Sequence, residues 1–229
     1  MKLVKPSNLV KLIRKFSEDT KQFPQPREFF GIDDFMAEHG ITPKINRKGK
    51  VLGDAKRYDR EFRINPKSLA DTLRRLQHYY PEQVRNLFPG VTTHEIGHLV
   101  DNVLRNKTSS ASEVYNHLRK IMGHYRQHPA EMLHEPQSNV NFHDFSILPK
   151  DNKAEQNYAL YQMQMLKKYN QKQRPREHMA NFISSLQPLK QFAPNNTFGQ
   201  NLSNPDLSLE NNPNTQEIIE NIFRQWRKK

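Results

Sequence analysis

The chemistry in this chain is concentrated in one short stretch, Thr92-Thr93-His94-Glu95-Ile96-Gly97-His98-Leu99-Val100-Asp101. His94 and His98 stand four residues apart, a spacing that on a helix puts both imidazoles on one face, where they can offer nitrogens to a single ion. Glu95 falls on the adjoining edge, placed to take a proton from a water that the metal activates without being a ligand itself. Asp101, one turn past His98, is placed to accept the other ring N–H of a ligand histidine. Ile96, Leu99, Val100 and Val103 form the opposite, core-facing stripe, and Gly97 leaves room for another backbone to approach. With ten histidines in the chain, H-E-x-x-H can arise by accident, but the regular apolar pattern around it favours a built site. The chain has no cysteine, so thiolate metal sites and disulfide-stapled scaffolds are excluded and only a nitrogen and oxygen site is open.

His94 to Asp101 resembles the HExGHxxD helix of compact zincin metallopeptidases from bacteria, phages and toxins, including those similar to the lethal-factor catalytic domain. The resemblance is to the gluzincin type, in which a glutamate from a later helix is the third ligand. The metzincin continuation, a glycine and then a third histidine, is missing from Asn102 to Arg105. The resemblance spans roughly residues 50–186 and implies a peptidase with one Zn2+ per chain and a protein or peptide substrate. It points to Glu177 as third ligand, in Pro175-Arg176-Glu177-His178-Met179-Ala180-Asn181-Phe182, which is similar to an E-x-x-A second motif. Asn181 stands where that motif often has an acid that supports the first ligand histidine. Glu131, Glu135, Glu113 and Glu155 are alternative ligands, and a carboxylate in a first helical turn also suits the helix dipole without any metal. The resemblance further implies a tyrosine before the glutamate helix that hydrogen-bonds the oxyanion: Tyr169, with Tyr158, Tyr161 and His178 as alternatives. A tyrosine at the end of an amphipathic helix equally serves packing. A strand over Tyr58 to Pro66 would lie along the cleft edge and pair with extended substrate, although an ordinary edge strand guarded by charge fits the same residues.

Such residues need a frame, and the apolar spacing predicts a mostly helical α+β fold: a zincin-like domain with a small β-element before the active-site helix and a helical C-terminal subdomain. Helices are expected over Pro6 to Asp19 and from Phe29 to near Gly40. A probable hairpin falls within Ile41 to Pro66, and a helix opened by Pro66 follows. A turn at Val84 to Phe88 is expected to stop at Pro89-Gly90, with the motif helix over Val91 to Leu104. Ala111 to Tyr125 is helical, with Ser110 and Glu113 in capping-box spacing. His124 and His128, four apart but with no carboxylate between them, are expected at the surface. His128 to Lys153 reads as irregular, and helices follow over Ala154 to Tyr169 and Pro175 to Leu186. Pro194 to Thr215, rich in Asn, Ser and Pro, reads as a linker or surface-hugging tail before a last helix from Gln216 to Lys229. This gives an N-terminal helical segment (residues 1–40), the metallopeptidase domain (41–190) and a linker with terminal helix (191–229).

The 36 Lys+Arg against 24 Asp+Glu give a net charge of +12, which suits an acidic substrate or surface. It also supports an alternative: a basic nucleic-acid or virion-associated protein with a structural or inactive zinc site, using the clusters Lys44 to Lys50 and Arg224 to Lys229. No nucleic-acid module is recognisable, and aromatics do not interleave with the basic runs. No apolar run approaches the ~20 residues of a membrane span, and Lys2, Lys5, Lys11, Arg14 and Lys15 interrupt the amino terminus. The expected location is therefore the cytoplasm, or export or ejection as an effector by a non-Sec route.

Overall fold

The computed structural model describes residues 6–15, 31–46, 52–56, 60–79, 84–107, 110–128, 174–193, 196, 198–200 and 202–227. In chain order these form α1 (Pro6–Lys15), α2 (Ile32–Glu38), β1 (Thr42–Ile45), β2 (Gly53–Ala55), β3 (Glu61–Ile64), α3 (Pro66–Tyr79), α4 (Val84–Lys107), α5 (Ala111–Gln127), α6 (Arg174–Ser184) and α7 (Pro213–Arg227). Two 3₁₀ turns, Lys190–Phe192 and Pro205–Leu207, lie between α6 and α7. Helix dominates, with one small sheet, as the apolar spacing predicts. The predicted irregular stretch from His128 to Lys153, apart from His128 itself, and the helix over Ala154 to Tyr169 lie outside the described residues.

The sheet is more than a hairpin. Its order is β1-β3-β2, with β1 parallel to β3 and β2 antiparallel to it. Phe62 and Ile64 of β3 point into the core, while Glu61 and Arg63 on the other face pair with Lys44, Lys56 and Asp54. Because β3 has a neighbour on each side, its backbone donors and acceptors are already used. The expectation that Tyr58 to Pro66 forms a substrate-pairing edge is therefore corrected: among the described strands the edges are β1 and β2.

Helix α4 is the centre of the molecule. Leu87, Phe88, Val91, Ile96, Leu99, Val100 and Leu104 are all buried, against the sheet, α3, α6 and α7. It runs unbroken through Pro89, where the sequence predicts a stop. An internal proline costs roughly 3 kcal/mol, and burial of the large apolar residues on either side offsets a loss of that size. The predicted capping box of α5 does not form: Ser110 makes no side-chain cap bond, and Glu113 accepts instead from Asn214 at 2.9 Å. His124 also departs from expectation. It is buried, with its ring stacked on that of exposed His128 at 4.4 Å.

The Asn-rich segment is not a free linker, since Phe198 and Leu207 join the same apolar core as Ile219, Ile222, Phe223 and Trp226 of α7. Its polar side chains cap the end of α6. Asn196 donates to Asn181 O at 3.1 Å, and Ser185 donates to Phe198 O at 2.8 Å, so groups too polar to bury alone are buried with partners. No helix among the described residues is long and apolar enough to cross a membrane.

Helices α4 and α6 make the most extensive contact, and Gly97 is where they touch: a Cβ there would sit 2.4 Å from Ala180 O. Gly97→Ala should therefore force the helices apart and destabilise the protein by about 1–3 kcal/mol, read from urea unfolding. Wild-type stability in that variant would show that the contact is not tight.

Candidate metal centre

His94 and His98 lie on one face of α4, as their spacing requires, and their rings meet edge to face at 4.7 Å. From the first turn of α6, Glu177 reaches across to both. Its Oε2 lies 3.2 Å from His94 Nε2 and 3.5 Å from His98 Nε2. Four-coordinate zinc with bonds near ~2.05 Å separates its ligand atoms by ~3.3 Å, so these two separations suit a shared ion. The three ligand atoms lie within 4.8 Å of one another, and no other His, Cys, Asp or Glu group among the described residues has such an arrangement. The cluster can hold a metal ion.

Asn181, one turn beyond Glu177, accepts from His94 Nδ1 at 2.7 Å. An amide oxygen thus fills the place that the resembling motif often gives to an acid, and it holds the proton on Nδ1 so that Nε2 faces Glu177. The expectation for Asp101 is corrected. This fully buried carboxylate makes no hydrogen bond to a ligand histidine and acts on His98 only through its charge: it accepts from the Tyr115 hydroxyl and from Arg105 Nε at 2.9 Å, and it faces Arg176 Nε at 3.6 Å. His98 Nδ1 is left without a hydrogen-bond partner.

Glu95 is 5% exposed, and its Oε2 has no hydrogen-bond partner. Strand β2 lies directly over it, since a Cβ on Gly53 would sit 2.6 Å from Glu95 Oε1. A side chain at that position would have to displace the Glu95 carboxylate. Burial pushes the Glu95 carboxyl up to about 8; the charge of His94 opposes this, and Glu177 and Asp54 add to it. Glu177 moves the other way. Burial would raise it, but hydrogen bonds from both histidines outweigh that and hold it below the usual carboxylate range. Burial alone would lower His94, yet the bond to Glu177 and its charge raise it overall. His98, for which burial wins, is lowered.

Among the other predicted residues, Glu113 is exposed on α5 and bonded to Asn214, and His178 packs its ring over Phe198 at 6.1 Å. Neither joins the cluster. Glu131, Glu135, Glu155, Tyr158, Tyr161 and Tyr169 lie outside the described residues. Gly53, Asp54, Tyr115 and Arg176 were not anticipated, because each acts through a contact with no local sequence pattern; Arg105 was also missed, although its pairing with Asp101 four residues away on one helix is such a pattern. Part of the basic carboxyl-terminal cluster is also engaged internally, with Arg227 Nε 3.0 Å from Glu38 and 3.1 Å from His39 Nε2. The chain matches no family model, no curated protein and no solved structure, so its function is argued from this site.

A carboxyl raised on folding binds its proton more tightly when folded, so Glu95 makes stability fall as pH rises from 4.5 to about 8. Urea unfolding of the metal-free protein across that range should show wild type losing stability relative to Glu95→Gln. A difference that ran the other way would contradict the burial of this charge.

Proposed function

We propose that the chain is a zinc-dependent endopeptidase of the gluzincin type, with a zincin-like catalytic core. The observation that carries this reading is the convergence of Glu177 on His94 and His98 beside a buried Glu95 with an unpartnered oxygen. Two imidazoles and a carboxylate are the donor set of hydrolytic zinc sites that keep one position open. When bound, zinc supplies Lewis acidity, polarising the scissile carbonyl and acidifying water.

The residues divide the remaining work. Glu177 stays a carboxylate well below neutral pH and burial lowers the basicity of His98, both of which suit metal ligands, whereas His94, raised against burial by Glu177, must release a proton to bind. Asn181 fixes the His94 tautomer through Nδ1. Glu95 Oε2 accepts the proton lost by the attacking water and returns it to the leaving amine nitrogen. Burial raises its basicity above that of an exposed carboxyl, so a proton it accepts is held until the leaving amine takes it. Tyr169 is the oxyanion donor that the zincin resemblance assigns. The substrate is a protein or peptide, and the net charge of +12 favours an acidic one. Action as an effector on another organism's protein uses the same chemistry.

Glu95→Gln should abolish cleavage and retain about one zinc per chain, because Glu95 is not a ligand. Metal analysis coupled to a proteome-wide search for new N-termini checks both at once. Retained cleavage would remove Glu95 from its role, and absence of zinc from the wild type would remove the peptidase reading. Glu177→Gln should lose most of the metal in the same assay, since a neutral amide is a poor zinc ligand.

A further inference from the structure

The helices that carry the metal-binding side chains are antiparallel, because partner numbers rise on one as they fall on the other. His94 meets Asn181, Gly97 meets Ala180, His98 meets Glu177, and Asp101 with Asn102 meets Arg176. The Gly97 contact sets the distance between the helices, and Met179, Phe182 and Ile183 bury the core-facing side of α6. Asn181 restrains one side of that contact. The other side, where Glu177 sits, is restrained by the residue before it.

Arg176 Nη2 donates to Asn102 Oδ1 at 2.7 Å, and its Nε faces Asp101 Oδ2 at 3.6 Å. Both partners are themselves held. Asp101 accepts from Tyr115 of α5 and from Arg105, while Asn102 Nδ2 donates to Lys56 O, next to β2, at 3.2 Å. The planar guanidinium donates to Asn102 while its charge faces Asp101, an arrangement a lysine ammonium reproduces with less directional control. We infer that Arg176 is a positioning residue for the metal site: through Asp101 and Asn102 it holds the first turn of α6 so that Glu177 stays in reach of both imidazoles. This role rests on the reading of His94, His98 and Glu177 as metal ligands.

Arg105 provides the control. It pairs with the same Asp101 oxygen, but from the same helix, so it neutralises charge without tying α4 to α6. Zinc dissociation constants, measured by chelator competition on metal-free wild type, Arg176→Gln, Arg176→Lys, Arg105→Gln and Glu177→Gln, separate these roles; unfolding midpoints of the metal-free proteins are recorded alongside. Arg176→Gln should weaken zinc binding about 10–100-fold, the range typical for a residue that orients a ligand. Arg176→Lys should fall between it and wild type, and Arg105→Gln should match wild type. Wild-type affinity in Arg176→Gln, or equal weakening in Arg105→Gln, overturns the positioning role while the metal site stands. Zinc binding that Glu177→Gln leaves unchanged removes Glu177 as a ligand and this role with it.

Discussion

The backbone contact at Gly97 and Ala180 is the constraint around which the rest is arranged. A buried helix with side chains on every face cannot bring a second helix close enough for a short carboxylate to reach two imidazoles. The missing Cβ of Gly97 removes that obstacle, since one would stand 2.4 Å from Ala180 O. Once α6 lies that close, its end must find partners for carbonyls that no longer see water. Asn196 and Ser184 donate to Asn181 O, Ser185 to Phe182 O and Gln200 to Ser185 O. The polar composition of the segment after α6 is thus a requirement of the crossing.

The same closeness sets the electrostatics. Glu95, Glu177 and Asp101 are three carboxylates on two adjoining helices in a chain of net charge +12, and each is handled differently. Asp101 is buried with three donors around it, so its charge is balanced inside the protein. Glu177 has two imidazoles and remains ionised. Glu95 has an oxygen with no partner and is raised to about 8. Glu95 and Glu177, on adjoining helices, are thus shifted in opposite directions by burial and by ion pairing.

The terminal elements belong to the same body. Arg60 Nη1 donates to His39 O at 2.8 Å and to Trp226 O at 3.1 Å, joining the sheet, the end of α2 and the end of α7. With Arg227 on Glu38 and His39, two arginines that composition assigns to an acidic partner are used in part to close the fold. Net charge is a sum over the chain and does not distinguish such internal pairs from those left to face a ligand.

The placement of His94, Glu95 and His98 was legible in the sequence, because helical periodicity is a property of neighbouring residues and needs no knowledge of the fold. Glu177 and Asn181 were legible through a second motif with the same local regularity. What surrounds them was not. The pairing of Asp101 with Arg176, the cover of Gly53 over Glu95, the central position of β3 and the passage of α4 through Pro89 all depend on residues distant in sequence. Each is decided by which surfaces pack together, and packing energy can outweigh a local preference such as that of a proline to end a helix. Residue spacing along the chain therefore set which side chains face the same way, and burial against distant segments set what they face.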